Sequence, residues 1–297
     1  MIRYLHAAGL PPLLLALILA LLPPASARGQ APRGESPSAN PQARARGGVP
    51  IGEPVRFQSI AAEGVPAIGL RGWWTPPEVP QGRGRSGAVV LMHGCNGPSV
   101  SGHRWARQLA DWGYGALVVD SFGPRKLRSV CGEASRMPSH QRVGDAYGAL
   151  LFLQTQRAVD PDRIVVMGWS HGGSAALWAV NKQWGPRFRP FPWVRFQAAA
   201  AFYPGCAVDH TEFMTPVLIL MGGADTWAPL SPCTRMVKTQ RQNGAEIQIV
   251  VYPGATHAFD AVRNTTELFG HVLEYHPSAT EDAHAKVRAL LAEHARR

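Results

Sequence analysis

Hydrophobic positions fall into short continuous runs divided by polar, glycine- and proline-rich stretches, the pattern of strands buried on both faces of a sheet. Residues 88–92, 116–120, 163–167, 198–203, 217–221 and 247–252 form such runs. Residues 55–61 and 66–74 are further strand candidates, parted by the turn signal Glu63-Gly64. Between the runs lie segments with helical spacing. Residues 103–112 place Trp105, Leu109 and Trp112 on one face before Gly113, and helices are also expected over roughly 141–156, 174–180 and 281–295. Strands alternating with helices predict an α/β domain, a mostly parallel sheet with helices on both faces. Residues 76–87 and 121–139 read as loops, residues 181–195 as an aromatic, basic and proline-rich insertion, and there is no internal repeat.

The first 27 residues break this pattern. One basic residue, Arg3, precedes an apolar core at 13–22 and the small-residue cleavage signature Ala25-Ser26-Ala27. That core is too short for the roughly 20 residues needed to span a bilayer. A secretory signal peptide is therefore expected over 1–27, with cleavage near Ala27, export to the periplasm or exterior, and no stable membrane anchor. Residues 28–50 read as a flexible linker, with almost nothing to bury, and the folded domain as 51–297.

Charge and cysteine usage narrow the classes. The formal charge is +10, but Arg3, Arg28, Arg33, Arg44, Arg46, Arg296 and Arg297 sit in tails, and no basic run with interleaved aromatics suggests a nucleic-acid partner. Four cysteines, Cys95, Cys131, Cys206 and Cys233, in an exported chain favour disulfides. Without C-x-x-C or H-E-x-x-H spacing, no metal site is expected.

The run at 163–167 leads into Gly168-Trp169-Ser170-His171-Gly172 and then a small-residue helix, which is a G-x-S-x-G elbow in its strand–turn–helix setting. In parallel sheets ligands bind beyond the carboxyl ends of the strands, so the residues just after each run matter. Asp225 follows the run ending at Met221, and His257 follows the run ending at Tyr252. Serine, acid and histidine thus occur in the chain order of α/β-hydrolases. Ser170 is the expected nucleophile, His257 the general base and then acid, and Asp225 the group that orients the imidazole. Asp120, which also ends a strand, and Asp260 are rival carboxylates. An oxyanion hole needs two backbone N–H groups. His171 should supply one, and the loop His93-Gly-Cys-Asn-Gly97 the other, from Cys95 first and Asn96 second; His93 itself reads as structural.

From about residue 55 onward the chain resembles the dienelactone hydrolase family of α/β-hydrolases. The resemblance rests on residues 168–173, residues 221–225 and Tyr252-Pro-Gly-Ala-Thr-His-Ala-Phe259. It implies an α/β-hydrolase fold of about eight strands without a large cap domain, and hydrolysis of a small-molecule ester or lactone through an acyl-enzyme, with no cofactor. Two departures stand out. The founding enzymes carry cysteine where this chain has Ser170, and a glutamate after the third strand where it has His-Gly-Cys-Asn-Gly, which makes dienelactone itself a doubtful substrate. A serine suits an exported enzyme, in which a reactive thiolate would oxidise.

Given the usual strand order of that fold, the strands ending at Met92 and Asp120 are neighbours, as are those ending at Tyr203 and Met221. Only the pairing Cys95–Cys131 with Cys206–Cys233 then links adjacent loops. Pocket walls are expected from residues 94–103, 121–139, 204–214 and 227–233 and from the loop after His257. Arg125, Lys126 and Arg128 on the second of these could receive an acidic ester, or be simple surface charges. The 181–195 insertion belongs at the opposite edge of the sheet, as a packed surface loop and not a lid. Two rival functions use the same scaffold. A peptidase or acyl transferase would share the triad, though peptidases of this fold usually add a propeller or large cap. A non-catalytic binding protein would usually have lost a member of the Ser-Asp-His set.

Overall fold

The computed structural model describes residues 52–78, 84–206, 212–240, 244–261 and 265–295. The expected signal peptide and linker lie outside these residues. Eight strands form one sheet: β1 (Glu53–Gln58), β2 (Gly69–Thr75), β3 (Ser86–Met92), β4 (Gly115–Asp120), β5 (Val159–Trp169), β6 (Ala199–Phe202), β7 (Val217–Gly222) and β8 (Ile247–Tyr252). Their order across the sheet is β1-β2-β4-β3-β5-β6-β7-β8. From β4 to β8 every neighbouring pair is parallel, while β1 and β2 run antiparallel at one edge. The central strands are mostly apolar, as expected of strands covered by helices on both faces; β4 and β7 are buried at every position, Asp120 at the end of β4 included.

The helices are α1 (Val100–Asp111), α2 (Val143–Gln154), α3 (His171–Val180), α4 (Gly185–Phe188), α5 (Leu230–Gln240) and α6 (Pro277–His294). Ser99 caps α1 by accepting the Gly102 amide, and its buried face includes the expected Trp105 and Leu109. α2 begins two residues after its expected start, because Ser139–Arg142 form a tighter 3₁₀ turn.

Helix α5 and a small hairpin were not legible as elements. α5 has a polar sequence with Pro232 in its first turn, yet Cys233, Met236 and Val237 are buried at i, i+3 and i+4. A small hairpin, β9 (Thr266–Leu268) and β10 (His271–Leu273), turns through Phe269 and Gly270 with φ of 53° and 78°. Both turn residues adopt positive φ, but Phe-Gly is not one of the usual hairpin signals. The insertion is a packed segment: Phe188 is buried, Trp184 lies against Trp178 and His140, and Phe191 and Trp193 stack on each other at the surface.

Candidate active site

Ser170 sits between β5 and α3 at φ 50° and ψ −118°, a conformation that costs a non-glycine residue strain energy. The turn is tight enough that a Cβ on Gly168 would strike the Gly172 carbonyl, and one on Gly172 would strike the Met92 and His93 carbonyls. Two flanking positions without side chains let β5 turn straight into α3 beside the end of β3. Gly94 lies beside the elbow without crowding it: a Cβ there would lie 3.9 Å from the Ser170 Cβ, an ordinary contact.

Ser170 Oγ lies 3.0 Å from Nε2 of His257, and His257 Nδ1 lies 2.7 Å from Oδ2 of Asp225. The other Asp225 oxygen accepts the amides of Trp227 and Ala228, both at 2.8 Å. With the carboxylate side chain wholly buried, these bonds fix its orientation toward the imidazole. Tyr203 and Trp227 flank the His257 ring, at centroid distances of 4.6 and 5.2 Å.

The rival carboxylates have other partners. Asp120 accepts the amides of Phe122 and Gly123 and pairs with Arg71 at 2.6 Å. Asp260 accepts from the indole nitrogens of Trp105 and Trp169 and from the Tyr203 hydroxyl at 2.6 Å. It thereby ties together α1, the residue before Ser170 and the ring beside His257. Burial first, and then Asp260, push the Tyr203 phenol well above its ordinary range, so its proton stays on oxygen.

The loop after β3 folds back at Gly97, which has φ of 82°. Cys95 on this loop is joined to Cys131 by a disulfide, and Cys206 is joined to Cys233. His93 Nε2 accepts the Ser121 amide, so its Nδ1 carries the proton and donates to the Gly94 carbonyl at 2.7 Å. Burial holds this imidazole neutral, well below its usual pKa. These bonds give His93 a structural part in the loop.

Two chambers meet at Ser170 and His257. The inner one, about 160 Å³, is walled by apolar groups such as Leu91, Val118, Tyr203, Leu268 and Leu273. The outer one, about 580 Å³, opens between residues 130–140, the start of α3 and the segment leading into α5. Their walls draw on all five stretches expected to form the pocket. The stretch after His257 contributes through the β9–β10 hairpin, whose strands the sequence did not reveal and which leans on the site through a stacked Trp227–His271 pair. No lysine, arginine, aspartate or glutamate is among the described residues lining either chamber. Arg125 is engaged elsewhere, in a two-pronged pair with the buried Asp145 at 2.8 and 2.9 Å. Burial nonetheless pushes the Asp145 pKa up, with Arg125 opposing.

The model of the dienelactone hydrolase family matches residues 75–295. The chain belongs to the dienelactone hydrolase family. Membership places it among carboxylic-ester hydrolases. It is 25% identical over 187 residues to a Bradyrhizobium protein named a probable 2-oxo-3-(5-oxofuran-2-ylidene)propanoate lactonase, covering 59% of this chain and 74% of that one. It is also 25% identical over 228 residues to acylamino-acid-releasing enzyme 1 of rice, where the match covers 61% of this chain but only 28% of the relative. Esterase 2 of Thermogutta terrifontis, solved with propionate bound, superposes with a TM-score of 0.59 at 18% identity, over 76% of this chain and 90% of the esterase. At that identity the likeness bears on the fold, and the fold agrees.

Proposed function

We propose that this family member is a serine hydrolase of small neutral carboxylic esters or lactones, working through an acyl-enzyme on Ser170. The observation that carries this reading is the unbroken chain of short contacts from Ser170 Oγ through His257 to the buried Asp225. The imidazole is the base within reach of the hydroxyl. As Oγ attacks the substrate carbonyl, the proton passes to Nε2, and the Asp225 carboxylate stabilises the resulting imidazolium. The carbonyl π pair moves onto oxygen, where the backbone N–H groups of Cys95 and His171 are the assigned donors. Collapse of the tetrahedral intermediate expels the alcohol, which takes the proton from His257, and water repeats the sequence to release the acid.

Preference for neutral substrates rests on the chambers, whose described walls carry no formal charge, and on the pairing of Arg125 with Asp145. Two disulfides support export, since such bonds persist in oxidising compartments, and no helix among the described residues is long and apolar enough to cross a membrane. Pre-steady-state hydrolysis of p-nitrophenyl acetate tests the acyl-enzyme. A burst of one nitrophenolate per active site is expected if deacylation is the slower step, and acid quenching should trap an acetyl group on the Ser170 peptide. Turnover without any trapped acyl group on that peptide would refute the covalent route.

A further inference from the structure

Arg142 is completely buried, an expensive place for a guanidinium unless its surroundings repay the lost hydration. Its hydrogen-bond partners are all neutral. Nη1 donates to the His93 carbonyl at 2.8 Å and lies 3.0 Å from His171 Nδ1, Nε donates to the Ser121 hydroxyl at 3.1 Å, and the Phe122 ring lies beneath the guanidinium carbon. The nearby carboxylate, Asp145, is instead held by both prongs of Arg125. Desolvation pulls the Arg142 pKa down to about 9, with Asp145 opposing, so the group is a cation at neutral pH.

The identity of two partners gives this buried cation a purpose. His93 opens the loop that carries Cys95, and His171 is the residue directly after Ser170. These are the two backbone segments assigned above to the oxyanion hole. Because a guanidinium can only donate, His171 Nδ1 must be the acceptor, which puts the ring proton on Nε2. His171 is held neutral accordingly: burial first and then Arg142 lower its pKa to about 3.

We propose that Arg142 is a positioning residue for the oxyanion hole, bracing the Cys95 loop against the start of α3 through the His93 carbonyl and the His171 ring. It touches no substrate. It sets the separation of the two N–H donors and places a fixed positive charge behind them, where it favours the negative oxygen of the tetrahedral intermediate over the neutral ground-state carbonyl. The inference rests on Ser170 being the nucleophile.

The test compares wild type with Arg142→Met, Arg142→Lys and His171→Leu, the last removing the ring acceptor while keeping the backbone N–H. Each is assayed for kcat and KM with p-nitrophenyl acetate, and for inhibition by an aryl trifluoromethyl ketone, whose carbonyl carbon bonds to Ser170 Oγ and places an oxyanion in the hole. Arg142→Met should lower kcat by about 10²-fold with KM within threefold, and weaken the ketone by the factor lost in kcat/KM. Lysine should restore part of that loss, and His171→Leu should lose about tenfold in kcat with the same parallel in the ketone. If Arg142→Met does not melt cooperatively, Arg142→Lys and His171→Leu decide the matter alone. An unchanged kcat, a loss confined to KM, or a ketone affinity that does not follow kcat/KM would overturn the proposal. Failure of the wild type to hydrolyse the ester or bind the ketone would instead refute the nucleophile assignment.

Discussion

Asp225 divides its two oxygens between separate tasks: Oδ2 faces His257 Nδ1 at 2.7 Å, while Oδ1 accepts the Trp227 and Ala228 amides. Asn in its place could keep the backbone contacts but would lose the charge that supports an imidazolium and could stabilise the wrong tautomer. Asp225→Asn is expected to lower kcat by roughly 10³- to 10⁴-fold with little change in KM. Asp120→Asn, whose carboxylate serves Arg71 and two amides instead, should retain kcat within about tenfold, because its bonds orient no catalytic group. Steady-state kinetics on the two variants checks the contrast.

The chambers make a prediction about charge. An anionic ester would have to bring its carboxylate against uncharged walls and leave it unpaired, whereas a neutral ester of equal leaving group pays no such penalty. The kcat/KM for p-nitrophenyl butyrate should exceed that for the p-nitrophenyl monoester of succinate by at least about tenfold. Equal rates, or a preference for the anion, would return the basic residues Arg125, Lys126 and Arg128 to the substrate site.

Both disulfides border the outer chamber, and they enclose sequence separations of 36 and 27 residues. Chain entropy assigns each roughly 3–4 kcal/mol of stability. The bonds should differ in their effect on catalysis. Replacing Cys95 and Cys131 with alanine frees the loop carrying an assigned oxyanion donor, so kcat should fall by an order of magnitude beyond any loss of stability. The Cys206/Cys233 double variant should lose comparable stability with a smaller change in kcat. Thermal melts and kinetics of the two double variants distinguish these outcomes.

Much of this site was legible because parallel strands leave a simple rule: chemistry collects on the loops just after continuous apolar runs. Ser170, Asp225 and His257 all follow such runs, and their separation in sequence says little about their meeting in space. Asp225, Asp120 and Asp260 are not told apart by that rule, since each lies after a strand or near the histidine. Hydrogen bonds to Arg71 and to the two tryptophan indoles separate them, and these long-range contacts leave no local signature. α5 and the β9–β10 hairpin were missed for different reasons. The buried face of α5 is only three residues wide within a polar sequence, and the hairpin turns through Phe269, whose positive φ no propensity favours. Arg142 was invisible as well, since an arginine before a helix ordinarily signals a surface.

Buried neutral histidines predict how stability depends on pH. Burial lowers the pKa values of His93 and His171, and those of His103, His140 and His284 move in the same direction. Below the ordinary histidine pKa of 6.5 the unfolded chain takes up protons that the folded chain refuses, down to about 3 for His171. Stability should therefore be complete above about pH 6.5 and fall as the pH drops below it. Asp145, whose pKa is raised, works in the opposite sense above 3.8 but is a single group. Urea midpoints should climb between pH 4.5 and 6.5 and level off near pH 7; a midpoint that is flat or falling over that range contradicts the assignment of neutral buried imidazoles.

Active-site labelling tests the central claim most directly. Wild type and Ser170→Ala are treated with a fluorophosphonate, then followed by intact mass, peptide mapping and residual p-nitrophenyl acetate hydrolysis. The account predicts one adduct on the wild type, mapped to Ser170, with activity lost in proportion to labelling. Ser170→Ala should remain unlabelled, with kcat reduced by as much as about 10⁶-fold. A wild type that neither labels nor turns over, or a Ser170→Ala protein that labels equally, would contradict it.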